Sequence, residues 1–201
     1  MRPMATRLDG RRAVVVGDEG SCGPAIRAAL AAAGATLGAL DGAPIDLVVH
    51  VAAGPDHPRP LVEVDEEAWA AAAELPVRAL LATLQAAHPG LRAADGRLVV
   101  VVPAVALEGA AGLVAEATGW EAVRLLAKSA ARRWGQQGIT VNVVATRLRE
   151  PPDATRTAPS LARTGWDDGA VAAMVLLAAS DEAAHLTGAT LQADGGALML
   201  P

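Results

Sequence analysis

Short, nearly unbroken apolar runs recur along this chain, at residues 13–16 (AVVV), 47–51 (LVVHV), 96–102 (GRLVVVV) and 139–144 (ITVNVV). They do not alternate apolar with polar residues. Each therefore reads as a strand covered on both faces, the mark of a parallel sheet with helices on either side. Stretches with helical spacing separate them, over residues 66–87, 113–134 and 168–179. Strands alternating with helices predict an α/β layer fold with a mostly parallel sheet. The 201 residues contain no internal repeat and no linker, so a single domain over residues 1–201 is expected.

Residues 12–33 read as a strand, a glycine-bearing turn and a helix. Gly17, Gly20 and Gly23 break the first apolar run, and Pro24 stands where a helix's first turn tolerates a missing N–H. Ile26, Ala29, Leu30 and Ala33 follow at helical spacing. Such a turn aims backbone N–H groups and a positive helix end at one point, which suits a phosphate. Asp18 and Glu19 lie in the same turn, with no Lys or Arg before Ile26, and would repel one. Spacing alone leaves two readings open: a phosphate site, or a strand–turn–helix with no ligand.

The helix over 66–87 has Asp65 as N-cap and Glu66 and Glu67 in its first turn. Pro76 should kink it, and His88-Pro89-Gly90 should end it. Gly119 weakens the start of the helix over 113–134. Residues 150–165 are rich in Pro, Thr and Arg and read as a loop. A last strand is expected over 187–192, followed by Asp194-Gly195-Gly196.

Composition narrows the function classes. Net charge is −5, which disfavours nucleic acid as a partner. Cys22 is the only cysteine, so an intrachain disulfide and a Cys-based metal cluster are excluded, and no histidine has metal-ligand spacing. No apolar run is long enough to span a bilayer, and the basic N-terminus lacks a signal peptide's apolar core. A cytoplasmic protein with no membrane partner is the expectation.

Four stretches resemble the short-chain dehydrogenase/reductase family: VVVGDEGSCGPAI, DLVVHVAAG, GQQGITVNVVAT and ASDEAAHLTGATLQADGG. The last is the most specific, and together they cover nearly the whole chain. The resemblance implies a Rossmann-type, doubly wound sheet and a cleft for NAD or NADP at the carboxyl ends of the strands. It makes Gly17, Gly20, Ser21 and Gly23 the cofactor turn, with Ser21 in place of the family's middle glycine. Asp41 matches the acid that binds the adenosine ribose.

The family's catalytic positions are not kept. Its asparagine falls at Pro76, its serine near Val102 or Pro103, and its tyrosine and lysine at Glu116 and Trp120. The chain has no tyrosine at all. Its only lysine, Lys128, lies two helical turns past the expected place. The Pro-Gly after the sixth family strand becomes Thr146-Arg147, and the Asn-Asn-Ala-Gly segment becomes His50-Val51-Ala52-Ala53. The family's third-strand region is also missing. Asp41 stands just ahead of Asp46, and residues 42–45 reach at most roughly 14 Å, too little for a normal parallel crossover. Residues 35–40 are therefore a stub or a loop. The alternative, a hairpin turned at Asp41-Gly42, would reverse the next strand.

Glu116 and His50 are the candidate acid/base groups. Glu116 replaces the proton donor, against the plainer reading of a solvated residue. His50 stands at the carboxyl end of a buried strand, against the plainer reading of a histidine satisfied by nearby backbone. His57, His88 and His185 read as surface groups, Cys22 as a packing residue. Arg147 and Arg149 are either anion clamps or ordinary solvated arginines. In the family the two long helices, here 66–87 and 113–134, form a four-helix dimer interface. Ala70, Ala73, Val77 and Leu80 on one, and Val123, Ala127, Ala130 and Ala131 on the other, would permit close approach. Two functions remain open. One is a catalytically inactive structural or regulatory subunit, pairing with itself or an active relative and binding NAD or NADP weakly at most. The other is an NAD(P)-linked or non-redox enzyme with a non-standard site.

Overall fold

The computed structural model describes residues 7–17, 21–52, 58–148, 161 and 167–199. Within them lie six strands: β1 (Arg12–Gly17), β2 (Thr36–Leu37), β3 (Leu47–Val51), β4 (Arg97–Pro103), β5 (Thr140–Thr146) and β6 (Thr190–Ala193). All pair in parallel, in the order β2-β1-β3-β4-β5-β6. Helices α1 (Gly23–Ala32) and α5 (Asp168–Ala179) cover one face. Helices α2 (Glu66–Trp69), α3 (Leu75–Ala93) and α4 (Val114–Trp134) lie on the other. Val48, Val100 and Val143 pack under α3 and α4, while Val15, Val49 and Val101 pack under α1 and α5. Both faces are dry, which is why the runs are unbroken. The fold is the doubly wound α/β arrangement expected.

The second strand is a stub. β2 pairs only with Arg12 and Ala13, and beyond it the chain bonds to the amino end of β1 before entering β3 parallel to β1, not as a hairpin. A strand that never climbs the sheet needs no full crossover, so residues 38–46 suffice. Arg12 clamps this link. Its guanidinium donates to Ala39 O and Asp41 Oδ2 at 2.7 Å each, and to Ala43 O and Pro44 O at 3.3 Å each. Asp46 closes it by accepting from the Arg12 N–H at 2.8 Å.

The long helix runs further than its sequence indicates. His88-Pro89-Gly90 does not end it; α3 continues to Ala93. Tertiary contacts override the break. The Gly90 carbonyl accepts from Ile45 N–H at 3.1 Å, and a Cβ at Gly90 would lie 2.6 Å from the Ala43 carbonyl oxygen. Gly90 is thus a close-approach residue against the shortened link. Near its start the helix widens into a π turn at Ala70–Glu74, just ahead of Pro76. Pro76 has no N–H to offer the Ala72 carbonyl and its ring would crowd that oxygen in a regular helix. The π turn accommodates both problems. There α4 crosses closest: a Cβ at Gly119 would lie 2.7 Å from Ala72 O and 2.8 Å from Ala73 O.

Two N-caps are as the sequence indicates for Asp65, and equally formed by Asp167, each accepting from an N–H three residues on. The last strand begins later than residue 187. Buried Asn142 reinforces the backbone bonds there, donating to Leu186 O at 2.7 Å and accepting from Ala189 N–H at 3.2 Å.

Candidate functional site

The carboxyl ends of β1, β3, β4 and β5 converge on one edge of the sheet. Gly17 ends β1 with φ of 116°, and a Cβ there would lie 2.0 Å from the Val51 carbonyl oxygen. Only glycine lets β1 turn out against β3 at this point. Gly23 opens α1 and is buried. Ser21 is half-buried, its Oγ 3.9 Å from Cys22 Sγ; Cys22 itself is buried in the α1/α5 core. Asp18, Glu19 and Gly20 lie outside the described residues, as do His57, Arg149 and all of the 150–165 loop except Leu161.

His50 is 3 % exposed. Its Nδ1 stands 3.0 Å from Thr83 Oγ1, whose own hydroxyl donates to Ala79 O at 3.1 Å. An Nδ1–H on His50 can donate to the Thr83 oxygen while that hydroxyl's own proton goes to Ala79 O. Burial pushes the His50 pKa down to about 4. The partner is a side chain on α3, not backbone, and the sequence gives no sign of it. Glu116 is 9 % exposed, not solvated as its position at a helix start suggests. It sits one turn ahead of Trp120 on the face of α4 that also presents Val123. No hydrogen bond joins Glu116 to His50 among the described residues.

Trp120 is 1 % exposed and packs into the core between α4 and the sheet. It occupies the helix position where the family resemblance places the lysine. Pro76 is buried at the π turn, Val102 and Pro103 are buried at the end of β4, and Lys128 is half-buried further along α4.

The structure does not bring Asp41 to this edge. Its carboxylate lies on Arg12, at the amino end of β1, where the Ala43 N–H and then Arg12 hold its pKa below the usual carboxylate range. The truncation is the cause: the link passes below the sheet, and the acid passes with it. A dinucleotide laid across the carboxyl ends would meet Gly17 and the amino end of α1. It would not meet the ribose-binding acid, and a buried indole stands in place of the lysine. Along Val14–Gly17 the outer edge of β1 has no strand neighbour among the described residues.

Of the small apolar positions on the long helices, Ala70 is exposed and Val77 half-buried. Ala73, Leu80, Val123, Ala127, Ala130 and Ala131 are buried within the subunit. The outward faces of α2, α3 and α4 also carry Trp69, Leu75, Leu81 and Leu125, the last 60 % exposed. His88 lies inside α3, half-buried, with Nε2 2.7 Å from Gln137 Oε1 and its ring centroid 4.8 Å from that of Trp134. His185 is exposed. Among the described residues no group of three or more His, Cys, Asp or Glu is disposed to hold a metal, and no helix is long and apolar enough to cross a membrane.

A small, open hollow lies at the ends of β4, β5 and β6. Ala104, Val105, Leu148, Ala197 and Leu198 form its apolar walls, and Glu108, Arg147 and Asp194 its polar groups. Asp194 is the acid of the Asp-Gly-Gly triplet. Its two oxygens accept from Gly196 and Leu198 N–H at 2.9 Å each, shaping the turn after β6.

A family model described as enoyl-(acyl carrier protein) reductase matches residues 22–197. The chain is 31 % identical over 151 residues to the 3-oxoacyl-(acyl-carrier-protein) reductase FabG of Vibrio cholerae, covering 70 % of this chain and 62 % of that protein. It is 33 % identical over 153 residues to FabG of Staphylococcus aureus, covering 69 % and 61 %. The chain thus matches somewhat under two thirds of the length of these relatives. Among solved structures, one described as a dehalogenation enzyme superposes with a TM-score of 0.83 at 24 % identity, covering 95 % of this chain and 99 % of the other. A putative short-chain alcohol dehydrogenase from Sinorhizobium meliloti superposes with a TM-score of 0.81 at 22 % identity, covering 95 % and 97 %.

Proposed function

Because this chain belongs to the short-chain dehydrogenase/reductase family, we propose that it is a member that has given up the family's hydride chemistry. It serves as a structural or regulatory subunit in the cytoplasm and pairs with itself or with an active relative. The observation that carries this reading is Trp120. A fully buried indole stands where the family's lysine would hold the ribose, in a chain without a single tyrosine to donate the proton. Pro76, Pro103 and Glu116 at the remaining positions offer no matching amide, hydroxyl or phenol. NAD or NADP binds weakly at most, since Asp41 is committed to Arg12 and the acids Asp18 and Glu19 flank the turn.

Pairing uses the outward faces of α2, α3 and α4, where Trp69, Leu75, Leu81 and Leu125 leave apolar surface in water. Light scattering after size-exclusion chromatography tests this, with the chain alone and co-expressed with intact family members. A strict monomer that binds none of them ends the subunit reading. Titration with NADH and NADPH, read by melting temperature, tests the cofactor side; a shift at micromolar cofactor contradicts it. A second reading keeps an enzyme with a non-standard site, using Glu116 or His50 as acid or base. It is favoured by the burial of Glu116 near the cleft edge without a partner among the described residues. A Glu116→Gln variant with unchanged turnover, in any activity found, removes that residue from it.

A further inference from the structure

The truncated second strand leaves part of β1 without a strand neighbour, and Arg27 occupies that place. The Thr36 and Gly38 N–H groups donate to Arg11 O and Ala13 O at 2.8 and 2.9 Å, and β2 pairs no further along β1. Asp46 N–H donates to Arg12 O at 3.0 Å from the opposite side, that of β3. Backbone groups of alternate residues face opposite edges of a strand, so Val15 faces the same outer edge as Ala13. A longer second strand would offer an N–H to Val15 O. Instead Arg27, on α1, donates to that oxygen from Nη1 at 2.8 Å. The carbonyl belongs to a buried residue and needs a partner; a charged side chain supplies it in place of backbone. Residues 13–16 are apolar and mostly valine, a composition that pairs readily with another strand when its edge is open.

We propose that Arg27 guards this edge: its guanidinium closes the outer side of β1 against strand addition by a second copy of the chain. A second copy is the occupant because each carries the same valine-rich strand with the same edge, and two such edges can pair about a two-fold axis. Charged side chains at sheet edges block pairing of this kind in general. Arg27 does so by taking the carbonyl that an added strand would use. The proposal does not rest on the subunit reading, since that pairing uses α2, α3 and α4 on the other face of the sheet.

The test is a graded series, Arg27→Lys, Arg27→Gln and Arg27→Met, titrated with a fluorescent peptide of residues 12–17 and weighed by light scattering. A charged donor holds a carbonyl more strongly than a neutral one, and methionine donates nothing. Peptide affinity should therefore rise from wild type through Lys and Gln to Met, by about tenfold or more across the series. Mass should grow with concentration beyond that of the wild type, in the same order. Should Arg27→Met not fold, the Lys and Gln variants carry the same comparison. Peptide binding by the wild type as tight as by Arg27→Gln, no trend across the series, or a growth in mass with no peptide bound overturns the proposal.

Discussion

Acidification should unfold this protein through His50 at a pH where most carboxylates are still charged. The ring is buried, with Nδ1 3.0 Å from Thr83 Oγ1. Its pKa falls from 6.5 to about 4 because burial disfavours the imidazolium. The unfolded chain takes up a proton at the ordinary value, while the native state refuses it until about pH 4. Stability is therefore fully present above pH 6.5 and is lost as the pH falls toward 4. Each pH unit within that window costs about 1.4 kcal/mol. Between pH 6.5 and 5 the loss from this one group is about 2 kcal/mol, a large share of a typical domain's margin. Urea unfolding of the wild type and His50→Leu at pH 7, 6 and 5 isolates it, because the other titrating groups are common to both. The stability difference between the two proteins should move by about 2 kcal/mol in favour of the leucine variant from pH 7 to 5. Parallel pH profiles, or a His50 ring carbon resonance that titrates near 6.5 in the native state, would refute the assignment.

Three further outcomes follow from the backbone. Gly119→Ala pushes a methyl group into the Ala72 and Ala73 carbonyls at the α4 crossing and should cost about 2 kcal/mol, read as a lowered melting temperature. Gly17→Ala meets both a φ of 116° and the Val51 carbonyl, so its loss should reach about 3 kcal/mol or more; a variant as stable as wild type disproves the close approach. Arg12→Met should speed hydrogen exchange at the amides of Ala43 and Asp46, whereas unchanged protection there means the guanidinium is not what holds the link.

The sheet was legible because its signal is redundant. Residues 47–51 and 98–102 are apolar at every step save His50, and only a doubly covered strand tolerates that. The stub at residues 36–37 was legible for a different reason: the reach of residues 42–45 is a hard geometric bound. The end of α3 was not. His88-Pro89-Gly90 is a local stop, and the contacts that override it come from Ile45 and Gln137, distant in sequence. Which neighbour the small residues of α4 pack against was not legible, for a related reason. Alanine is small enough for either a neighbouring helix or the sheet, so composition does not say which side of α4 looks inward. At the candidate site, the residues at the positions the resemblance makes catalytic could be named from the sequence, but Thr83 beside His50 and the hollow around Arg147 could not. Both join elements brought together only by the fold.

The short link between β2 and β3 also bears on the order in which the chain folds. With the third-strand region gone, only α1 and the β2 stub separate β1 from β3, and the β1–β3 ladder is one of the more local pairings in the sheet. Closing a shorter loop costs less chain entropy, and folding rates rise as contacting residues draw closer in sequence. The truncation that removed Asp41 from the cleft therefore gives the sheet a compact nucleus. In it Arg12 and Asp46 can fix the register of β1 against β3 before the long helices have docked.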